Sequence, residues 1–105
     1  MVAVQYEPFS FTGIDKLIIP KNIKYVWVKA CKHMLELKEV KWESECDSIP
    51  ESCFYNCIKL EDIYLPKHIK TINDDAFKDC YSLHNIYYNG TMLDWFNINK
   101  LGHWL

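Results

Sequence analysis

The chain of 105 residues is long enough for one compact domain and too short for two. Half of its residues are hydrophobic and 25% are charged, which favours a folded protein over a disordered one. All 12 basic residues are lysines, and a net charge of −2 excludes a general attraction to nucleic acid or to an anionic membrane. With only 3 glycines and no glycine-rich phosphate loop, the sequence predicts no nucleotide cofactor.

The N-terminal residues 1–6 lack the basic start and the apolar run of a signal peptide. Every apolar stretch is too short to span a bilayer. We therefore expect a cytoplasmic protein, or a cell-surface protein if the chain is cut from a longer secreted parent. Val2, Val4 and Tyr6 recur at every second position, which predicts a capping strand over residues 2–6.

An internal repeat with a period of 23 residues dominates the rest of the chain. Residues 53–65 read CFYNCIKLEDIYL, and residues 76–88 read AFKDCYSLHNIYY. The block IPKNIKYV at 19–26 returns two periods later as LPKHIKTI at 65–72. We place the four units at residues 8–29, 30–52, 53–75 and 76–90.

Each unit contains the pattern of a short strand. In the third unit Ile63 and Leu65 point to one side, and Asp62 and Tyr64 point to the other. Pro66 ends the strand. Ile69 and Ile72 supply a second apolar pair on the return leg, and the segment around residues 54–57 predicts a single helical turn. A single unit cannot bury these residues, whereas stacked units can, so we predict a β-rich solenoid of short parallel strands and short helical turns.

The segments AFKDCYSLHNIYY and CFYNCIKLEDIYLP and the two IPK/LPK blocks resemble the BspA-like class of leucine-rich repeats. Units of that class carry the pattern AF-x-x-C-x-x-L-x-x-I-x-I-P, and the resemblance covers residues 9–90. It implies a right-handed, strand-rich solenoid that binds other proteins, often on microbial cell surfaces. Cys31 and Met34 depart from the pattern, which has phenylalanine and cysteine at these positions.

Residues 91–105 predict a C-terminal cap, because a solenoid must cover its open apolar end. Thr91 and Asp94 have the spacing of a helix N-cap and its N3 carboxylate, and the alternative is a separate binding peptide. The apolar residues expected to cover the last coil are Leu93, Trp95, Phe96, Ile98, Leu101, Trp104 and Leu105.

The cysteines and histidines do not form a pattern that carries chemistry. Cys57 and Cys80 share a repeat position, which predicts buried structural thiols, with a disulfide or a metal site as the alternative. The spacing Cys53-x-x-x-Cys57 is not that of a zinc site, and the 4 histidines fall at unrelated positions. We therefore predict no catalytic residue, no metal and no enzymatic activity.

The outward strand positions form the predicted partner surface. Tyr64 and Tyr87 come to lie side by side, either as anchors of an interface or as a pair that stacks and binds nothing. The residues assigned to this surface are Ile18, Glu39, Lys41, Asp62, Tyr64, Asn85 and Tyr87.

The sequence thus predicts a non-catalytic protein-binding module that uses its parallel-strand face. Two alternatives stay open: a small intracellular inhibitor or adaptor that occludes a larger enzyme, and a structural fragment of a longer surface adhesin. Self-association through the end caps is a further expectation, and no nucleic-acid or membrane partner is expected.

Overall fold

The structure is a computed structural model that describes the backbone of Val2–Val4 and all of residues 13–105. Within these residues the elements follow in the order β1 (Val2–Val4), β2 (Lys16–Ile19), β3 (Ile23–Val26), β4 (Glu39–Trp42), β5 (Ser48–Ile49), β6 (Asp62–Leu65), β7 (Thr71–Ile72), β8 (Asn85–Tyr88), α1 (Met92–Phe96) and β9 (Asn99–Lys100).

Two parallel sheets form the walls of a solenoid, which confirms the predicted fold class. The main sheet has the strand order β2-β4-β6-β8, and the side sheet has the order β5-β7-β9. Strand partners in the main sheet are 23 residues apart, as in the pair Ile63 and Ile86. The repeat period therefore equals the length of one coil.

The apolar residues of every coil meet between the two walls. In β6, Ile63 and Leu65 are buried, and Ile69 and Ile72 are buried on the return leg. Phe54 stacks on Phe77 of the next coil, with ring centroids 5.5 Å apart and planes 6° from parallel. Identical positions of adjacent coils thus pack on one another, which is why a single unit could not fold alone.

The thiols lie inside this stack. Cys57 and Cys80 are buried, and each Sγ donates a hydrogen bond of 3.1 Å to a backbone carbonyl, that of Cys31 and that of Phe54 respectively. The cysteines of the described residues are free thiols. Burial raises the pKa of Cys80 to about 12 and also raises the pKa of Cys57, so both stay protonated near neutral pH.

The predicted helical turn is a 3₁₀-type turn, in which the Cys57 N–H donates to the Phe54 carbonyl at 3.2 Å. Two residues of each of the three turn segments have positive φ, a feature that sequence reasoning did not predict. They are Lys29 and His33, Ser52 and Asn56, and Asp75 and Asp79, with φ between 55° and 62°. The left-handed residues recur every 23 positions, so the same sharp bend is repeated in these three segments of the described chain.

The N-terminal strand is present over Val2–Val4 and pairs in parallel with β3. Residues 5 and 6 of the predicted capping strand lie outside the described residues, as do residues 8–12 of the first unit.

The C-terminal segment forms a short helix followed by one strand. Thr91 Oγ1 accepts from the Asp94 N–H at 3.1 Å, and the Asp94 carboxylate accepts from the Thr91 N–H at 3.0 Å. This reciprocal capping box confirms the predicted start of the helix. After it, β9 pairs with β7, and the carbonyls of His103 and Trp104 accept backbone N–H groups of the coil below.

The prediction of which residues cover the last coil is only partly right. Ile98 is buried, and Trp95 and Trp104 pack against the core with their rings 6.2 Å apart. Contrary to the prediction, four of the expected residues are exposed: Leu93, Phe96, Leu101 and Leu105. The cover therefore consists of the two indole rings and Ile98 rather than of the whole apolar set.

Candidate functional site

The outward face of the main sheet collects all seven predicted surface residues. Strand alternation places Leu17, Val40 and Ile63 in the core and sends the residues between them outward. Two columns cross the sheet on its outward side. The first is Lys16, Glu39, Asp62 and Asn85, and the second is Ile18, Lys41, Tyr64 and Tyr87.

Tyr64 and Tyr87 form a parallel stack on this face. Their ring centroids are 4.6 Å apart, and the ring planes are inclined by 14°. Tyr87 keeps 47% of its surface exposed, while Tyr64 is half-buried between its neighbours. The ladder holds the backbone of both strands, and the ring stack adds a contact between their side chains.

Lys41 extends the aromatic stack by one coil, since its Nζ lies 5.6 Å from the centroid of the Tyr64 ring. Partial burial raises the pKa of Tyr64 above its ordinary value, and the neighbouring Tyr87, Glu39 and Asp62 add to the shift. The phenol is therefore a neutral hydrogen-bond donor at physiological pH.

The other column is polar, and two of its side chains are hydrogen-bonded to each other. Asn85 Nδ2 donates to Asp62 Oδ1 at 2.9 Å, so the amide and the carboxylate hold each other on adjacent strands. The Glu39 carboxylate makes no hydrogen bond or ion pair with the side chains of the described residues. The face thus combines a rigid aromatic ridge with a short acidic border.

A groove of about 490 Å³ runs across the strand ends beside the tyrosine stack. We call it the strand-end groove. One ridge is Lys41, Tyr64 and Tyr87, the floor is Trp42, Leu65 and Tyr88, and the other ridge is Glu43, Pro66 and Asn89.

Sequence reasoning missed the second ridge and the floor. The residues of this ridge recur with the same period of 23, so the signal was present one position past each strand. Pro66 was interpreted only as a strand terminator, although its ring also lines the groove. The groove is thus a periodic feature, built from three successive coils.

Tyr88 lies at one end of the groove, where two contacts hold its side chain. Its hydroxyl donates to the Lys67 carbonyl at 3.0 Å, and its ring lies 5.5 Å from that of Trp95. A Cβ at position 90 would lie 2.5 Å from the Tyr88 ring, so the glycine leaves room for the ring. In contrast, the hydroxyls of Tyr64 and Tyr87 have no hydrogen-bond partner among the described residues.

The described part of the chain offers few side-chain groups for a metal site, for histidine chemistry or for a membrane span. Within it, no group of three or more His, Cys, Asp or Glu side chains is placed to hold a metal ion. His33 pairs with Asn56 and His68 with the Ser44 carbonyl, so these two imidazoles serve contacts between coils. Among the described residues, no helix has the length and apolarity needed to cross a membrane.

Comparisons with known proteins identify the family of the chain. A solved structure of a leucine-rich cell surface protein from Faecalibacterium prausnitzii A2-165 aligns with 86% of this chain at 20% identity and a TM-score of 0.47, and the chain spans 37% of that protein's length. No curated protein matches the chain significantly. The family model for the BspA-type leucine-rich repeat region matches residues 3–98. The chain therefore belongs to the BspA-type leucine-rich repeat family.

Proposed function

We propose that the chain is a non-catalytic module that binds another protein through the outward face of its main sheet. The observation that carries this proposal is the Tyr64–Tyr87 stack, which is half-exposed on a rigid parallel ladder. Tyrosine is enriched among the residues that dominate interface energies. A pair that is already ordered loses little entropy when a partner packs on it.

The remaining surface residues would surround this anchor. Ile18 adds an exposed apolar side chain two coils away from Tyr64, and Lys41 lies between them. On the other column Glu39, Asp62 and Asn85 would form a polar rim, which contributes more to orientation and association rate than to affinity.

The test compares the proteins captured by three baits from a lysate of the native host. The wild-type chain and a Tyr81→Ala control should retain the same partner, because Tyr81 is 77% exposed and lies outside the groove. The Tyr64→Ala/Tyr87→Ala bait should lose that partner, since losing two anchors lowers affinity by about tenfold or more.

Circular dichroism and thermal unfolding of each bait show whether the double variant is folded. Equal recovery of the partner on a folded double variant would remove the tyrosine stack from the interface and overturn the proposal. The identity of the captured protein separates the remaining roles: a larger enzyme whose activity falls indicates an inhibitor or adaptor, and a surface ligand indicates an adhesin-like module.

Self-association is a second candidate, favoured by the exposed apolar face of α1. Met92, Leu93 and Phe96 fall within one 100° arc of the helix and are each about 70% exposed. A second copy that packed on the same patch would bury them in an isologous contact.

Light scattering over a wide concentration range tests this second candidate. We expect a concentration-dependent dimer that is lost in Leu93→Ser/Phe96→Ser, while Leu35→Ser, at another exposed leucine, should behave as wild type. A monomer at every concentration would exclude this mode of association.

A further inference from the structure

Asn89 and Gly90 form an Asn-Gly pair between β8 and α1, at the outer ridge of the strand-end groove. The Asn89 N–H donates to the Leu65 carbonyl at 3.0 Å, so the ladder holds the backbone up to this residue. Its side chain is exposed and makes no hydrogen bond with the described residues. The carboxamide is therefore accessible to water and unrestrained by a polar partner.

An asparagine carboxamide can react with the main chain that follows it, which makes asparagine one of the thermolabile residues. The backbone nitrogen of the next residue attacks Cγ and closes a five-membered ring. Three features slow this reaction. They are a side chain on the next residue, which crowds the nitrogen, a hydrogen bond from the N–H of that residue, and a hydrogen bond that fixes the carboxamide.

Gly90 leaves the attacking nitrogen unrestrained. It has no Cβ, so no side chain of its own crowds the nitrogen. The Gly90 N–H makes no hydrogen bond with the described residues. A Cβ at this position would lie 2.5 Å from the Tyr88 ring. The packing of Tyr88 therefore requires the same glycine that makes the preceding asparagine reactive.

The other described asparagines each keep at least one restraint. Those with a hydrogen-bonded carboxamide are Asn56, Asn73 and Asn85. Asn22 and Asn97 each precede an isoleucine whose N–H donates to a backbone carbonyl, at 3.1 and 3.2 Å respectively. Asn99 precedes a lysine, whose side chain crowds the nitrogen. Among the described residues, Asn89 alone therefore lacks all three restraints.

We propose that Asn89 is a site of spontaneous deamidation. The Gly90 nitrogen bonds to Asn89 Cγ, and the carboxamide nitrogen leaves as ammonia with the proton that Gly90 gives up. Water then opens the resulting succinimide at either of its carbonyls. One product is aspartate with the original backbone, and the other is isoaspartate, whose main chain runs through the side-chain carboxyl and is longer by one methylene. Water is the co-reactant, and no oxidant or enzyme is needed.

Both products change the strand-end groove. Each places a carboxylate where the outer ridge had an amide, and the ridge already holds Glu43 two coils away. Isoaspartate also displaces Gly90 and Thr91, and Thr91 is the N-cap of α1. The modification thus makes the ridge more acidic and, in its isoaspartyl form, disturbs the start of the helix. It goes beyond the proposed function, since the chemistry is the same whether or not a protein binds to the sheet face.

The test follows the folded chain during incubation at neutral pH. Trypsin releases residues 79–100 as one peptide, which contains Asn85, Asn89, Asn97 and Asn99. Fragment-ion mass spectrometry should locate an amide-to-acid conversion at Asn89, while the other three stay amides. A sample digested without incubation corrects for conversion during digestion. Conversion of Asn97 as fast as that of Asn89 would overturn the inference.

A parallel incubation in urea measures the reaction of the unfolded chain. We expect Asn89 to convert in both samples, and faster at higher pH, because the deprotonated nitrogen is the attacking group. If Asn89 converts in urea and stays an amide in the folded chain, the fold protects it and the inference is wrong.

Variants confirm the site and separate its two products. Asn89→Gln, whose ring closure would need one more atom, should abolish the conversion, and Asn97→Gln is the matched control that should age as wild type. An isoaspartyl methyltransferase with labelled S-adenosylmethionine marks isoaspartate, so aged wild type should be labelled and freshly prepared Asn89→Asp should not. Label that persists in aged Asn89→Gln would place the modification at another residue and overturn the assignment.

Discussion

Phe54 lies on Phe77 in a parallel stack whose ring centroids are 5.5 Å apart, and the two residues are 23 positions apart in the chain. Trp42 meets the other side of Phe54 at 6.3 Å with its ring steeply inclined. The central coil is thus held by aromatic contacts to both of its neighbours, which makes Phe54 the natural place to test the stack.

Replacing Phe54 with alanine should lower the free energy of unfolding by about 3–5 kcal/mol, because it removes a fully buried ring and leaves a cavity. Urea unfolding measures the change, and Tyr81→Ala provides an exposed aromatic control within about 0.5 kcal/mol of wild type. Phe54→Leu, which keeps more of the volume, should lose less. Equal losses for Phe54→Ala and the control would contradict the role of the stack.

The thiols should differ sharply in reactivity. Cys46 is half-buried, whereas the other four cysteines are buried, so we expect one fast reaction with Ellman's reagent in the native protein. Cys46→Ser should abolish that fast phase, and denaturant should expose the remaining thiols. A fast phase that persists in Cys46→Ser would place another thiol at the surface.

The buried thiols also predict a loss of stability at high pH. Burial raises the pKa of Cys80 from its ordinary value of 9.0 to about 12, so the folded state keeps a proton that the unfolded chain loses. The contribution of Cys80 to the free energy of unfolding is constant below pH 9.0. Stability then falls as the pH rises from 9.0 to about 12. Cys80→Ala should flatten this part of the profile of unfolding free energy against pH, and an unchanged slope would argue against a buried thiol.

The left-handed turn residues predict a position-specific response to β-branched side chains. Asp75 has φ of 59°, where a Cβ branch is disfavoured. Asp75→Val should therefore be about 1–2 kcal/mol less stable than Asp75→Gly in urea unfolding. The same pair of substitutions at the exposed Lys78 is the control, and an equal difference there would show a general effect of valine rather than of φ.

The stability of helix α1 depends on the charge of Asp94, because the Asp94 carboxylate is part of the capping box. Hydrogen bonds from the Thr91 N–H and hydroxyl lower the pKa of this carboxyl below its ordinary value of 3.8. The Asp94 carboxylate therefore contributes to the stability of the fold above pH 3.8, and this contribution is lost as the pH falls below that value. Thr91→Ala should lower the free energy of unfolding by about 1 kcal/mol and raise the Asp94 pKa measured by NMR. Thr91→Ser should leave the stability and the Asp94 pKa as in the wild type. A pKa unchanged in Thr91→Ala would contradict the hydroxyl's part in the cap.

The strands and the register of the main sheet could be predicted from the sequence because alternation and period both constrain them. Ile63 and Leu65 must face the core together, and a shift of one residue would expose both. The same period then places Tyr87 beside Tyr64. The sheet face and its aromatic pair thus follow from local patterns repeated at a fixed interval.

The covering face of α1 could not be predicted in the same way. Leu93 and Phe96 are three positions apart, and so are Trp95 and Ile98, so the segment offers two apolar sides of equal spacing. The structure buries the side with the indole ring, and Lys100 Nζ lies 4.6 Å from that ring. Which side faces inward depends on the packing of Trp95 against Trp104 and Tyr88, which lie beyond the helix itself.

The left-handed conformation of the turns could not be predicted from the sequence, because none of these turn residues is a glycine. His33, Asn56, Asp75 and Asp79 are of residue types enriched at positive φ. Lys29 and Ser52 are not, and they take this conformation at the equivalent positions of neighbouring coils. The groove ridge of Glu43, Pro66 and Asn89 follows the strands, where the alternation of buried and exposed residues ends, so the pattern that predicts the strands does not predict this ridge.

The constant offset of 23 residues between strand partners makes each coil an exchangeable part. Removing or duplicating a whole unit keeps every side chain on its original wall, because the two cut surfaces have the same shape and the same ladder of backbone groups. Evolution can therefore lengthen or shorten such a chain by recombination within the gene without redesigning its core. The length of the outward sheet face then becomes a variable that is independent of the fold.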